Sequence, residues 1–470
     1  MYQWLSGSGS YISSGVWAAT TRNKDWIRMA GMKRVIDDSS HRQEVVAGNM
    51  AEYLANQYRD AVRRLGDQAG DFHEIISRIR YKDRLTISAL LQEALRELPM
   101  IVFTLRAVQY PASIPLSLAS LQLIRENSSS FTSSILGLLD QTGYMAEQLA
   151  SVRRLYEIEN ISNKVVDGRE PYPENHQMLN DGISVEFRNV SFKYPGTEKY
   201  ALKNVSFKIE PGHLCIIVGA NGSGKSTVLR LIARIHDPEE GDIFIDGRNI
   251  RNLKVADLRR AISVLFQDYT HFPLSISENI GLGDPENADD EDKIREAARL
   301  GGAEEFIDRL PDGFEAFLDR PVQDYYSDLP EGTKTLFGRS VEYSRIRGLA
   351  HMSATNSTTL SGGQMQRLAL SRTFMRSITA EPKVGLLLFD EPSASLDPTA
   401  EHDLFQRLRN LRGNKTMIFS SHRFGNLTRH ADLILYMNDS AVAEEGTHER
   451  LLKQQGEYAR IWMLQAQAFL

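Results

Sequence analysis

The sequence predicts an α/β domain with a parallel sheet, preceded by an all-α region. Residues from about Asp25 to Asn160 are rich in good helix formers, as in Met50–Leu65 and Leu85–Leu98, and their apolar residues recur at helical spacing. The segment Asp167–Asp181, with Gly168, Pro171 and Pro173, breaks that pattern. From Ile183 onward short apolar strands alternate with helical stretches.

The expected organisation is therefore a helical region over 1–166, a linker over 167–182 and an α/β domain over 183–470. VEFRNVSF and ALKNVSFKI open that domain as short strands. His213–Val218 (HLCIIV) and Val384–Phe389 (VGLLLF) are nearly continuous apolar runs, the pattern of central parallel strands covered on both faces. The sequence shows neither an internal repeat nor a low-complexity tract.

Composition sets outer limits. The 470 residues carry 55 Lys and Arg against 61 Asp and Glu, a formal charge of −6 with a pI near 6.1. That balance argues against general nucleic-acid binding, which needs a basic excess to neutralise phosphates. The single cysteine, Cys215, excludes an intramolecular disulfide framework and a cysteine-rich zinc site, and fits a reducing compartment. Met1–Thr21 lacks the basic leader and compact apolar run of a signal peptide. Ala107–Ile124 is uncharged but contains Pro111 and Pro115 and is flanked by Arg106 and Arg125. With a mean hydropathy of −0.34 for the chain, it is a poor transmembrane candidate on hydropathy alone.

The strand ending at Val218 runs into Gly219, Ala220, Asn221, Gly222, Ser223, Gly224, Lys225, Ser226 and Thr227, then the helical pattern VLRLIARI. This is the strand, loop and helix context of a P-loop. The glycines let successive N–H groups and the helix N-terminus face phosphates. Lys225 is suited to the β/γ charge and Ser226 to a magnesium ion. After the second apolar strand come Asp390 and Glu391. Asp390 is placed to hold magnesium through water, and Glu391 to polarise an attacking water. Leu360, Ser361, Gly362, Gly363 and Gln364 precede the helix MQRLALSRTF, whose positive end suits a γ-phosphate.

With LSGGQ between these two motifs, the sequence resembles the ABC ATPase family over Ile183–Leu470. The resemblance implies ATP and Mg2+ as ligands and hydrolysis to ADP and phosphate. It likens Gln267 in VLFQD to the Q-loop glutamine, a catalytic and metal-binding position, and Ser393–Asp397 to the D-loop, with Asp397 at the nucleotide. His422 after IFSS is likened to the switch histidine, and Tyr194 in SFKYPG to the aromatic that stacks on adenine. In that family the LSGGQ segment of one subunit completes the ATP site of another. A second ABC ATPase domain is thus implied, in a homodimer or with a related half-transporter.

One helical region before one ATPase resembles an exporter-type half-transporter, which implies a membrane-associated chain with its ATPase in the cytosol. SIPLSLASLQLI and FTSSILGLLDQTGYMAEQLASVRRLYEIEN resemble the final span and its extension, and Ala94–Val108 the span before it. HRQEVVAGNMAEYLANQYRDAVRRLGD resembles the cytosolic helices leading into that pair. The N-terminal region then reads as a partial transmembrane domain, earlier spans lying before Met1. Asp324–Ser357 reads as an insertion, and HMSATNSTT replaces the acidic-glycine segment that normally precedes the signature. Met365 is a lesser departure. A soluble ABC ATPase with a helical protein-binding domain and a regulatory ATP-binding module are the alternatives. The transported substrate is not legible.

Overall fold

The computed structural model describes residues 15–16, 24–65, 101–102, 105–106, 108–110, 126, 149–150, 152–154, 156–157, 160, 163–321, 335–336, 339–341, 360–379, 384–392, 398–422 and 427–467. They fall into two compact units. Residues 1–69 and 164–470 belong to one, and residues 70–163 to the other. In the second unit the described backbone is helical at 101–102, 105–106, 108–109, 126, 149–150, 152–154 and 156–157. Arg153 Nε donates to Glu157 Oε1 at 2.9 Å, one helical turn on.

In the first unit the elements used below are, in chain order, α1 (Lys24–Asp37), α2 (Arg42–Ala47), α3 (Ala51–Leu65), β1 (Val185–Lys193), β2 (Tyr200–Ile209), β3 (Leu214–Gly219), α4 (Lys225–Ile232) and β4 (Glu240–Ile245). They continue with α5 (Val255–Arg260), β5 (Ile262–Leu265), α6 (Ile276–Gly281), α7 (Glu291–Gly301), α8 (Gly362–Thr379), β6 (Leu386–Asp390) and α9 (Pro398–Arg412). The chain closes with β7 (Thr416–Ser421), β8 (Leu433–Asn438), β9 (Ala441–Gly446), α10 (His448–Gln454) and α11 (Glu457–Gln467).

A six-stranded sheet has the order β9, β8, β3, β7, β6, β5, parallel throughout except for the β8–β9 hairpin. A second, antiparallel sheet has the order β2, β1, β4 and the short strand Arg248–Asn249. The apolar runs of the sequence are β3 and β6, and their alternation explains why they are continuous. Ile216, Val218, Leu387 and Phe389 enter one core, shared with α6, α7 and α8. Cys215, Ile217, Leu386 and Leu388 enter the other, shared with α4 and the antiparallel sheet. A strand covered on both faces leaves few positions for polar residues. Cys215 is buried, and burial pushes its thiol well above the ordinary range, so it is inert packing.

The α/β domain is not the whole of this unit. Trp26 and Met29 of α1 pack on Ala61 and Leu65 of α3. Met32, Val35, Met50 and Leu54 pack on Phe272, Leu274 and Leu282 of the α/β domain. Gly31 permits that approach, because a Cβ there would lie 2.4 Å from the carbonyl oxygen of Pro273. Helices over 24–65 thus share one core with the segment that follows β5.

Within Asp324–Ser357 the backbone forms strands at Thr335–Leu336 and Arg339–Val341, and the latter pairs in parallel with Gly15–Val16. The rest of that segment lies outside the described residues. Among the described residues no helix is long and apolar enough to cross a membrane. The stretches likened to exporter spans, within 94–108, 113–124 and 131–160, fall mostly outside the described residues.

Candidate active site at the carboxyl ends of the parallel strands

In a parallel sheet the carboxyl ends of neighbouring strands open on one edge, where loops can converge on a ligand. Here β3 delivers Gly219, β6 delivers Asp390 and Glu391, β7 delivers Ser420 and Ser421 ahead of His422, and the loop after β5 delivers Gln267.

Gly219–Gly224 turns from β3 into α4. Gly224 sits at φ +102°, and a Cβ on it would lie 2.6 Å from the carbonyl oxygen of Ala201, so only glycine fits. Lys225 closes the loop by donating from Nζ to the carbonyls of Gly219 (3.0 Å) and Ala220 (3.1 Å). Its ammonium is buried, which pulls its pKa down, while Glu391 and Asp390 pull it back up. Ser223 Oγ is buried with no hydrogen-bond partner among the described residues. A buried orphan hydroxyl in a glycine-rich loop at the start of a helix suits an anionic ligand. Asn221 and Gly222 are exposed at the loop tip, and Thr227 is buried on α4.

Ser226 Oγ donates to Asp390 Oδ1 at 2.9 Å, and Ser420 Oγ donates to the same oxygen. Burial raises the Asp390 pKa, and these two hydroxyls oppose the rise. One hydroxyl and one carboxylate held this close form a hard-oxygen pair that fits Mg2+ and its waters. No motif marks Ser420 in the sequence. Its signal is the strand register, since β6 and β7 pair Asp390 with Ser420 directly.

Glu391 follows at φ +49°, a left-handed conformation that costs a non-glycine residue of order 1–3 kcal/mol and needs support. Its N–H supplies that support by donating to Ser420 O (3.2 Å) and Ser420 Oγ (3.1 Å). The turn throws the carboxylate into the site. Oε2 accepts from Gln267 Nε2 at 3.2 Å and lies 3.2 Å from His422 Nδ1, and Oε1 lies 3.9 Å from Lys225 Nζ. Gln267, which the resemblance assigns to the metal, meets Glu391 here through its amide nitrogen.

Ser361 and Gln364 cap α8 reciprocally. Ser361 N–H donates to Gln364 Oε1 at 2.8 Å, and Gln364 N–H to Ser361 Oγ at 3.3 Å. The Gly362 carbonyl accepts from Tyr269 OH at 3.2 Å, and Gly363 is half-buried beside it. Farther along α8, Gln366 donates to the carbonyl of Pro392, so this helix is tied to the turn carrying Glu391. Tyr194 is half-buried. Its hydroxyl lies 3.1 Å from Thr227 Oγ1 and accepts from Arg230 Nη1 at 2.9 Å, and its ring meets Phe192 and His236 edge-on. Asp397 and the rest of Ser393–Asp397 lie outside the described residues.

A second cluster, unmarked in the sequence, joins α2 to the loop after Gln267 and to α8. Glu44 Oε1 accepts from Thr270 N–H at 2.7 Å, and Oε2 is bonded to Arg372 Nη1. Arg372 also donates to Asn279 O (2.9 Å) and Asn279 Oδ1 (3.0 Å), and its guanidinium lies 4.5 Å from the centre of the Phe272 ring. His41 Nδ1 lies 3.1 Å from Thr270 Oγ1. A single carboxylate thereby spans 226 and 328 positions of sequence.

Residues 202–394 match the family described as ABC transporter. The chain is 33% identical over 321 residues to the ATP-dependent lipid A-core flippase of Pseudomonas fluorescens (strain Pf0-1), covering 66% of this chain and 46% of that protein. It is 34% identical over 277 residues to the flippase of the same description from Pseudomonas aeruginosa, covering 59% and 39%. The chain thus spans less than half the length of these curated relatives. Among solved structures, a bacterial Atm1-family ABC exporter with ATP bound superposes with a TM-score of 0.54 at 24% identity, covering 95% of this chain and 70% of that one. This last likeness is one of fold.

Proposed function

On the premise that this chain belongs to the ABC transporter family and carries its ATP-binding ATPase domain, we propose that it is the nucleotide-hydrolysing part of an exporter-type half-transporter. The observation that carries the reading is the Glu391 carboxylate, which meets Gln267, His422 and Lys225 immediately beyond the Ser226–Asp390 pair.

In this reading Gly219–Thr227 cradles the phosphates of ATP, with Ser223 Oγ among the donors and Lys225 released from Gly219 and Ala220 to face the β/γ oxygens. Ser226, Asp390 and Gln267 hold Mg2+, which neutralises phosphate charge when bound. Glu391 orients and deprotonates the attacking water, and His422 and Gln267 report the γ-phosphate. Tyr194 lies under adenine. The shell is completed by Ser361, Gly362, Gly363 and Gln364 of a second copy or a related half-transporter, and by Asp397. The domain assignment is a partial exporter transmembrane domain over 1–166, a linker over 167–182 and the ATP-binding domain over 183–470. Membrane association follows, with the ATPase on the cytosolic side. The lipid A-core flippases favour an amphipathic lipid as cargo.

Glu391→Gln tests the reading. It removes the base and keeps a similar volume, so steady hydrolysis falls by a factor of about 10² or more while ATP binding persists. Unchanged turnover overturns Glu391 as the base.

A further inference from the structure

We propose that Arg234, Arg259 and Arg376 form a relay of guanidinium-to-carbonyl bonds that ties the phosphate-loop helix α4 to the chain segments on either side of residues 70–163, with Arg259 as the positioning residue on the branch to Gly48. This proposal rests on the ATP-binding reading above.

The relay starts on the segment that follows residue 163. Arg234, two residues beyond α4, is fully buried. Its Nη2 donates to the carbonyls of Val166 (2.7 Å) and Arg251 (3.2 Å), its Nη1 to Leu253 O (2.7 Å) and its Nε to Asp237 Oδ1 (3.1 Å). The same segment is held beside it. Glu170 bridges to Leu253, and Asp167 Oδ1 accepts from Val255 N–H at 2.8 Å.

The second link is Arg259 on α5. It donates from Nη2 to the carbonyl of Arg234 (2.8 Å) and from Nε to that of Ala233 (3.4 Å). These are carbonyls at the end of α4, where a cation also meets the negative pole of the helix. The third link is Arg376 on α8. It donates from Nη2 to the carbonyl of Arg259 itself, from Nε to Ile262 O at 3.1 Å, and from Nη1 to the carbonyl of Gly48 at 3.0 Å. Gly48 lies between α2 and α3, on the segment that precedes residue 70. Burial lowers the Arg376 pKa to about 10, which leaves it charged at neutral pH.

Arg259 thus grips the backbone of Arg234, and Arg376 the backbone of Arg259, rather than a side chain. A guanidinium keeps its charge and presents donors in a fixed plane, so such bonds resist sliding and pass on a displacement. Because α4 begins at Lys225, a shift imposed on it by phosphate reaches Val166 through Arg234 and Gly48 through Arg259 and Arg376.

The test is hydrogen exchange on the full chain in a Glu391→Gln background, with and without ATP, comparing Arg259 with Arg259→Met and Arg259→Lys. With Arg259 intact, ATP slows exchange at 220–232 and at 42–54. In Arg259→Met the slowing at 220–232 remains, and at 42–54 it falls at least fivefold. Arg259→Lys, which keeps a donor and the charge, recovers part of it. Retention of the full effect at 42–54 in Arg259→Met overturns the relay, as does a uniform loss of protection across the chain in both variants. Absence of slowing at 220–232 with Arg259 intact overturns the ATP reading and the relay together.

Discussion

Replacing Glu44 by alanine isolates the contact that joins α2 to the α/β domain. The carboxylate and its arginine are nearly enclosed, with side-chain exposures of 11% and 9%. Burial raises the Glu44 pKa and lowers that of Arg372, and their mutual attraction offsets both shifts. Such a pair contributes little over an apolar one, but removing one partner strands the other and costs about 3–5 kcal/mol. Glu44→Ala also leaves the Thr270 N–H without its acceptor, whereas Arg372 keeps Asn279 and the face of Phe272. The lower half of the range is therefore expected, about 3 kcal/mol, or a rise of about two orders of magnitude in the open population of residues 42–54. Hydrogen exchange of peptides covering α2 and the start of α3 measures it directly, and the α/β core serves as the internal reference. A change under about 1 kcal/mol would refute the argument that this pair fastens the helices. So would an equal loss in the core.

Other outcomes follow from the same geometry. Gly224→Ala forces a left-handed φ of +102° on alanine and drives its Cβ to 2.6 Å from Ala201 O, so the phosphate loop deforms. ATP affinity should fall tenfold or more, and wild-type affinity in a titration would count against the cradle. Acidification should loosen α2. Burial is the main cause lowering the pKa of His41, against Asp38, which raises it, and burial also lowers His271. A histidine with a depressed folded pKa takes up its proton on opening. Stability is therefore full above the ordinary value of about 6.5 and falls as pH drops below it toward the folded pKa. Protection at 38–54, taken relative to the intrinsic exchange rate at each pH, should fall between pH 7 and 5, and His41→Gln should flatten the response. An unchanged slope in His41→Gln would remove His41 as its source.

Much of the fold could be read locally because its demands are local. The runs ending at Val218 and Phe389 are continuous because both faces of β3 and β6 are covered, and a glycine that only glycine can replace announces the turn at Gly224. Gly219, Gln267, Asp390, Glu391 and His422 lie at or just beyond strand ends, so their grouping follows once strands are assigned. The support beneath them was less visible. Ser420 is one serine in IFSS until the register of β6 and β7 sets it against Asp390. Glu44 in HRQEVV has the look of a solvated helix residue, since its partners Thr270 and Arg372 lie hundreds of positions away. The three arginines are equally silent, because apart from the Arg234–Asp237 pair they bind main-chain carbonyls, which every residue carries. The packing of 24–65 with the α/β domain depends on Met32, Val35, Met50 and Leu54, whose spacing predicts a buried face but not what buries it.

The stacked rings of Phe389 and Phe419, with centroids 4.8 Å apart and planes inclined by 13°, stand directly opposite each other on β6 and β7. The next rung of that ladder is Asp390 against Ser420, and beyond it the chain turns to Glu391. The aromatic pair therefore works as the spacer block of the chemistry. A smaller ring on one strand would let the rungs above close or tilt, and the hydroxyl that steadies both acidic residues would move with them. Replacements at 389 and 419 should be tolerated as matched pairs of conserved total volume and resisted singly, although neither ring lies among the residues assigned to the nucleotide.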